Sequence, residues 1–467
     1  MATRRREKMS AVDTAWLRMD RPDNLMVICG VVILADRIRP ERLRATLESH
    51  FLRYPRFRQR PVDVAGATFW ETDAAFDLAR QIEVVKLPGK AGKTQLQALV
   101  SRLVSEPLDR RRPLWRFHLV DNYLEGSALI LRIHHCYADG IALTQVLLSM
   151  TAPSRRRGPA KPAAPARAER DETTLRAPPI LGGAVKMALK IGALMIDKGV
   201  AIWQDPAKAL ELANQGTALA SEVAKLALMQ RDSPTRFKGT PGVAKRAAWA
   251  EPLSLADVKA AGKALNASVN DVLLSCVAGA LRAYLSRRGD DVDGVVIRAL
   301  VPVNLRPLSK ADELGNAFGL VFLDLPIGVA NPIARLHAVR ASMNALKASY
   351  QPVLALGLLA AMGAGPKLLQ DQLLAALARN ATAVMTNVPG PQQPLYLAGG
   401  KIDSLMVWVP QSGDIGVGVS ILSYNGQVQF GMLTDRGLCP DPEKISARFG
   451  PEFERLRKSA KARVRNA

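Results

Sequence analysis

Apolar positions recur along this chain with two spacings. Short apolar runs and alternations predict strands over Leu25 to Leu34, Glu83 to Leu87, Ala128 to Ile133, Val295 to Val303 and Asn316 to Pro326. Further strands are predicted over Ala381 to Val388, Ile402 to Val409, Ile415 to Ser423 and Gln427 to Leu433. Another begins at Pro113-Leu114-Trp115 and runs through Phe117 and Leu119. Apolar residues three and four apart predict helices over Pro40 to Phe51, Gln95 to Ser105, Ile141 to Met150, Ser254 to Leu265 and Pro332 to Leu346. Ser254 is placed to cap its helix, and Asn270-Asp271 opens the next by capping and by its charge at the helix N-terminus. Asn425-Gly426 between two strands is a type I′ hairpin signal. Strands and helices alternate in both halves, which makes this an α/β protein.

The alternation is interrupted once. Residues 152–179 are rich in Ala, Pro and Arg and read as an exposed linker. This divides the chain into an N-terminal domain (1–151), the linker (152–179), a helical connecting segment (180–232) and a C-terminal domain (233–467). Ile180 to Trp203 is strongly apolar but broken by Lys186, Lys190, Asp197 and Lys198. Such a helix either lies on a lipid surface or packs on the protein.

Composition narrows the partners. The 467 residues are 48% hydrophobic, and Lys+Arg 64 against Asp+Glu 42 gives a net charge of +22. That charge favours anionic partners. Aromatic residues are 5% and no nucleic-acid motif is present, so an anionic membrane or a phosphorylated small molecule fits better than nucleic acid. Cys29, Cys136, Cys276 and Cys439 are scattered, as reduced cytoplasmic thiols are. No signal peptide is expected, since Arg4-Arg5-Arg6 is not followed by an apolar run, and no run is long enough to span a bilayer.

The chemistry concentrates in His134-His135-Cys136-Tyr137-Ala138-Asp139-Gly140, between a strand and a helix. Side chains alternate along a strand, so His135 shares a face with Leu129, Leu131 and Ile133, and His134 with Arg132. One histidine therefore faces a cleft and the other is structural. A histidine in an apolar cleft is neutral and suited to general-base work. Asp139 reads as a buried structural carboxylate needing an arginine, with Arg132, Arg298 and Arg306 as candidates. Gly140 reads as a turn residue where a Cβ does not fit. No metal-ligand spacing occurs among the five histidines and four cysteines, so no metal is expected.

HHxxxDG is the signature of the acyl-CoA-dependent acyltransferase superfamily. The chain more narrowly resembles the bifunctional wax ester synthase/diacylglycerol acyltransferase family. Pro113-Leu114-Trp115 matches its PLW motif, Asn270-Asp271 its ND motif, and Asn387-Val388-Pro389-Gly390-Pro391 its NVPGP motif, all in the family's order. Ser10 to Met19, with Asp13 and Trp16, resembles the family's opening, and the likeness covers nearly the whole chain.

The resemblance implies two chloramphenicol acetyltransferase-like domains, mixed sheets flanked by helices, with the active site at their interface. It implies transfer of a fatty acyl group from acyl-CoA, a co-substrate and not a bound cofactor, to a long-chain alcohol or diacylglycerol. His135 is then the general base, and PLW, ND and NVPGP bind substrate or brace the site. The basic stretch Arg53 to Arg60 is either a solvated loop or a neighbour of the coenzyme phosphates, and Val353 to Gly365 either lines an acyl tunnel or fills the core. A peripheral place on a membrane or lipid droplet is expected. The alternatives are a catalytically silent lipid-droplet-binding member, or an acyltransferase with another hydroxyl acceptor.

Overall fold

A computed structural model describes residues 6–154, 229–305, 314–316, 318–347, 349 and 351–465. The expected segment Ile180 to Trp203 and nearly all of the linker lie outside the described residues. The chain begins with β1 (Arg6–Lys8), α1 (Ala11–Met19), β2 (Val27–Leu34), α2 (Pro40–Thr46), β3 (Gln59–Val64), β4 (Ala67–Thr72) and β5 (Ile82–Val85). It continues through α3 (Lys93–Leu103), β6 (Trp115–Tyr123), β7 (Gly126–His134), α4 (Gly140–Ser149) and β8 (Thr151–Ala152). After the undescribed stretch come β9 (Lys245–Trp249), β10 (Leu253–Ser254), α5 (Leu255–Ala264), α6 (Val269–Arg287), β11 (Ile297–Asn304), β12 (Phe318–Leu325) and α7 (Pro332–Lys347). The rest is α8 (Gln351–Ala364), α9 (Lys367–Arg379), β13 (Ala383–Pro389), β14 (Tyr396–Leu397), β15 (Gly400–Trp408), β16 (Val417–Tyr424), β17 (Gln427–Asp435) and α10 (Glu443–Arg465).

Two seven-stranded mixed sheets form. The first runs β5-β6-β7-β2-β15-β14-β8; the second runs β10-β17-β16-β13-β11-β12, with β9 also on β17. Strand β7 is buried at every position, as its apolar run requires, and pairs with β6 and β2 on either side. The second sheet carries α5, α6, α7 and α10 over one core, in which Val277, Leu281, Val339 and Phe449 are buried.

The two halves interlock. β15 leaves the residues assigned to the C-terminal domain and pairs antiparallel along β2 of the first sheet. In return, β9 of the second sheet packs beside α3, where Ser101 Oγ and Ser105 Oγ accept from the amides of Ala247 and Lys245 at 2.9 Å each. Asn425 and Gly426 have φ of 48° and 74°, as the hairpin signal required. The helix expected over Pro40 to Phe51 is α-helical only to Thr46 and widens into a π-type turn over Leu47–Phe51.

The hairpin of β3 and β4, closed against β1, was not anticipated. It captures the basic stretch before it. The Arg56 guanidinium lies 4.6 Å over the Trp70 ring and bonds Glu7 at 2.8 Å, while Arg60 meets Glu71 at 3.4 Å. Among the described residues, no single helix is long and apolar enough to cross a membrane.

Candidate active site

Extended geometry continues to the second histidine. The His134 amide donates to Leu114 O at 2.9 Å and the His135 amide to Met26 O at 2.7 Å. The chain then turns, with the Tyr137 amide on His134 O at 3.1 Å.

His134 faces inward as a brace. Its Nδ1 accepts from the Cys136 amide at 3.1 Å, so its proton is on Nε2, which points at Asp20 Oδ1 at 3.7 Å. That approach is longer than a hydrogen bond; Asp20 accepts from the Met26 amide at 2.8 Å and from Arg110 at 3.1 Å. Burial pushes the Asp20 carboxyl upward, but His134 and these donors outweigh it and hold the group below its ordinary value.

The PLW motif is the support on which this loop hangs. Tyr137 Oη accepts from the Leu114 amide at 2.9 Å and donates to Gln59 O at 2.6 Å. Trp115 Nε1 donates to Phe57 O at 2.8 Å, and Gln81 Nε2 holds the carbonyls of Pro113 and Trp115 at 3.0 and 2.9 Å. Gln81 was not picked out from sequence as part of the site.

His135 lies in a different environment. Its ring stacks on Trp16 of α1, with centroids 4.1 Å apart and planes 13° apart, and Phe318 of β12 is 5.6 Å away. Burial holds its pKa down to about 4, against small upward effects from its own carbonyl, Asp139 and Asn316. It is therefore neutral at pH 7, the form a base requires. Burial likewise holds His118 down to about 3. Both residues bind a proton near pH 6.5 once unfolded. Between pH 6.5 and 4 the unfolded chain thus holds protons that the native chain lacks, and stability falls as pH falls through that window. A thermal midpoint that stays flat from pH 7 to pH 4.5 in the His118→Gln variant, but drops in the parent, assigns the loss to His118 alone.

Asp139 caps α4, accepting from the Ala142 amide at 2.9 Å. Two of its three candidate arginine partners are engaged elsewhere: Arg298 Nε bonds Asp324 at 2.8 Å, and Arg132 bonds Glu106 O. Arg306 lies outside the described residues. The expectation for Gly140 is corrected. A Cβ there meets nothing within 4 Å, so no steric demand of the described residues calls for glycine.

The ND and NVPGP motifs meet each other. Asn387 Nδ2 donates to Asn270 Oδ1, joining β13 to the start of α6. The cap of α6 is Ser268, not Asn270: its Oγ accepts from the Asp271 amide at 3.2 Å, and Asp271 Oδ2 accepts from the Ser268 amide at 2.9 Å. This correction frees the Asn270 side chain for Asn387. Pro389 ends β13, and Gly390 donates to Ser423 O at 2.8 Å. A Cβ on Gly390 would stand 2.4 Å from that oxygen, so this approach requires glycine. None of the described hydrogen bonds joins these two motifs to His135.

An apolar cavity of about 50 Å³ shares the Trp16 side chain with the histidine site. Trp16, Met19, Leu300, Phe322, Leu354 and Met362 are among its walls. Leu354, Leu358 and Met362 recur every fourth residue along α8, so one stripe of that helix faces the space.

The family model of the wax ester synthase/diacylglycerol acyltransferase catalytic domain matches residues 9–273, more than half of the chain. The WS/DGAT C-terminal domain matches residues 314–457. The chain belongs to the wax ester synthase/diacylglycerol acyltransferase family. It is an acyltransferase, as the motifs implied. A putative diacylglycerol O-acyltransferase of Mycobacterium tuberculosis is 28% identical over 470 residues, covering 96% of this chain and 90% of the relative. A probable diacylglycerol O-acyltransferase of the same organism is 28% identical over 406 residues, covering 86% and 83%. The wax ester synthase/diacylglycerol acyltransferase from Marinobacter aquaeolei VT8 shares the fold, with a TM-score of 0.68 at 20% identity over 97% of this chain and 100% of that one. The first condensation domain of the CDA synthetase also shares it, with a TM-score of 0.58 at 14% identity over 98% of each chain. This is the two-domain, mixed-sheet architecture expected of the superfamily.

Proposed function

We propose that this family member moves a fatty acyl group from acyl-CoA to the hydroxyl of a long-chain alcohol or diacylglycerol, with His135 as general base. The observation that carries the reading is a neutral, buried imidazole stacked on Trp16, which is itself a wall of an apolar cavity. The acceptor oxygen attacks the thioester carbonyl as His135 takes its proton. The tetrahedral adduct collapses, the C–S bond breaks, and the departing coenzyme sulfur takes the proton back from the imidazolium. The basic surface supports binding of the coenzyme phosphates and a peripheral position on anionic lipid. Palmitoyl-CoA with hexadecanol or diacylglycerol, followed by thiol release, tests the reading. No thiol release with either acceptor refutes it.

Transfer is direct in this mechanism. Burial pushes the Cys136 thiol well above its ordinary pKa, with Asp13 and Asp20 adding to the effect, so it is not a thiolate nucleophile. Cys136→Ser is expected to keep its rate within about threefold, because serine fills the space but cannot replace an activated thiolate. Acyl label trapped on Cys136 would contradict this.

The pH profile supplies a second check. kcat/KM reports the free enzyme's base. Since His135 stays neutral down to about pH 4, the acid limb is expected well below pH 6.5. A limb at pH 6.5 or above would count against His135 as the base.

A further inference from the structure

The segment Leu314-Gly315-Asn316 comes from the second half of the chain, yet it pairs with the histidine loop. The Gly315 amide donates to Tyr137 O, and the Asp139 amide donates to Gly315 O, each at 3.2 Å. Gly315 has φ of 105°, a conformation that favours glycine. This bend delivers the Asn316 side chain to two acceptors. Its Nδ2 donates to His135 O at 2.8 Å and to Asp13 Oδ1 at 2.8 Å. Both amide protons are thereby used, and with two acceptors around Nδ2 the orientation of the amide is determined.

The remaining atoms are complementary. Asn316 Oδ1, an acceptor, and His135 Nδ1 are both buried without a partner in bonding geometry among the described residues. A wholly buried Nδ1 is not the nitrogen that an incoming hydroxyl meets; Nε2 is. Work at Nε2 requires the proton of the neutral ring to sit on Nδ1. The His135 carbonyl, which Asn316 holds, and the Asn316 side chain itself both favour the protonated ring. Asp13 stands in the first turn of α1, buried, with Ser10 as its helix cap. Asp13 belongs to the stretch that resembles the family's opening, where the sequence assigned it no role, and Asn316 belongs to none of the motifs.

We propose that Asn316, oriented by Asp13, is a positioning residue that holds His135 in the tautomer whose basic nitrogen is Nε2. The proposal rests on His135 being the base. The other titratable groups around the ring are His134 and Asp139 of its own loop and Asp13 of α1, with Arg56 acting on Asp13.

The test compares Asn316→Ala, Asp13→Ala, Asp13→Asn and the double alanine variant with the parent and with His135→Ala. Asn316→Ala and Asp13→Ala are each expected to lower kcat by about 10-fold or more, with KM for palmitoyl-CoA within about twofold, since the fault is in orientation. Asp13→Asn retains an oxygen that accepts from Asn316 and is expected to recover most of the rate. The double variant is expected to be no worse than either single one, because the pair acts as a unit. Removing Asn316 also removes a group that favours the protonated imidazole, so the acid limb of kcat/KM moves to lower pH. Nitrogen NMR of the histidine-labelled protein reads the tautomer directly: His135 shows protonated Nδ1 in the parent and a mixture in Asn316→Ala.

Unchanged tautomer and kcat in a folded Asn316→Ala variant would overturn the proposal. So would losses that multiply in the double variant, or equal losses in Asp13→Asn and Asp13→Ala. If His135→Ala itself stayed active, the general-base reading would fall first, and the two failures are thereby distinguished.

Discussion

His135→Ala is expected to lower kcat for palmitoyl-CoA with hexadecanol by about 100-fold or more, the scale of a lost general base. The residue is neutral because it is buried, and it is buried because Trp16 and Phe318 cover its faces. No other histidine is placed to substitute. His134 is committed to the Cys136 amide and to Asp20, and its replacement by alanine is expected to act through stability, visible as a lower thermal midpoint. A well-folded but inactive His134→Ala variant beside an active His135→Ala variant would reverse the two roles.

The largest expected loss of stability lies away from the histidines. Arg335 is 1% exposed and spends its donors on Glu452 at 2.6 Å, Ser275 O at 3.0 Å, Val329 O at 3.1 Å and Ala330 O at 3.3 Å. Glu452 is 4% exposed, with Arg455 at 2.8 Å on its other oxygen. The pair ties α7 to α6 and α10, and α6 is the helix that carries Asn270 to Asn387. Desolvation disfavours the Arg335 charge, and Glu452 offsets it. Arg335→Met leaves a buried carboxylate with only a partly exposed partner and is expected to cost about 3–5 kcal/mol. The double variant Arg335→Met/Glu452→Leu is expected to regain most of that, since an apolar pair avoids the desolvation of both charges. Urea unfolding of the three proteins decides the matter. A single variant as stable as the parent would mean the ion pair contributes nothing to the fold.

Much of the secondary structure was legible in the sequence because burial of one face leaves a period. β7 is buried throughout and was an apolar run interrupted only by Arg132; α5 buries Leu255, Val258, Ala261 and Gly262, the three-and-four spacing of one helix face. The turn at Asn425-Gly426 was legible because both residues tolerate positive φ. The opposed placement of His134 and His135 was legible for a similar reason: adjacent side chains at a strand end point to opposite faces, and the motif around them carries the family. What the sequence did not disclose is which distant segments meet. Asn316 bonds the His135 carbonyl across 181 positions, and Asn387 reaches Asn270 across 117. β15, from the second half of the chain, pairs along β2 of the first sheet, a partner more than 360 positions away. Local periodicity records that a face is buried, not against what. The partners of Asp20, Gln81, Asp13 and Asn316 were chosen by the packing of whole elements, where each buried polar group must find a bond or lose one. That choice exists only in three dimensions.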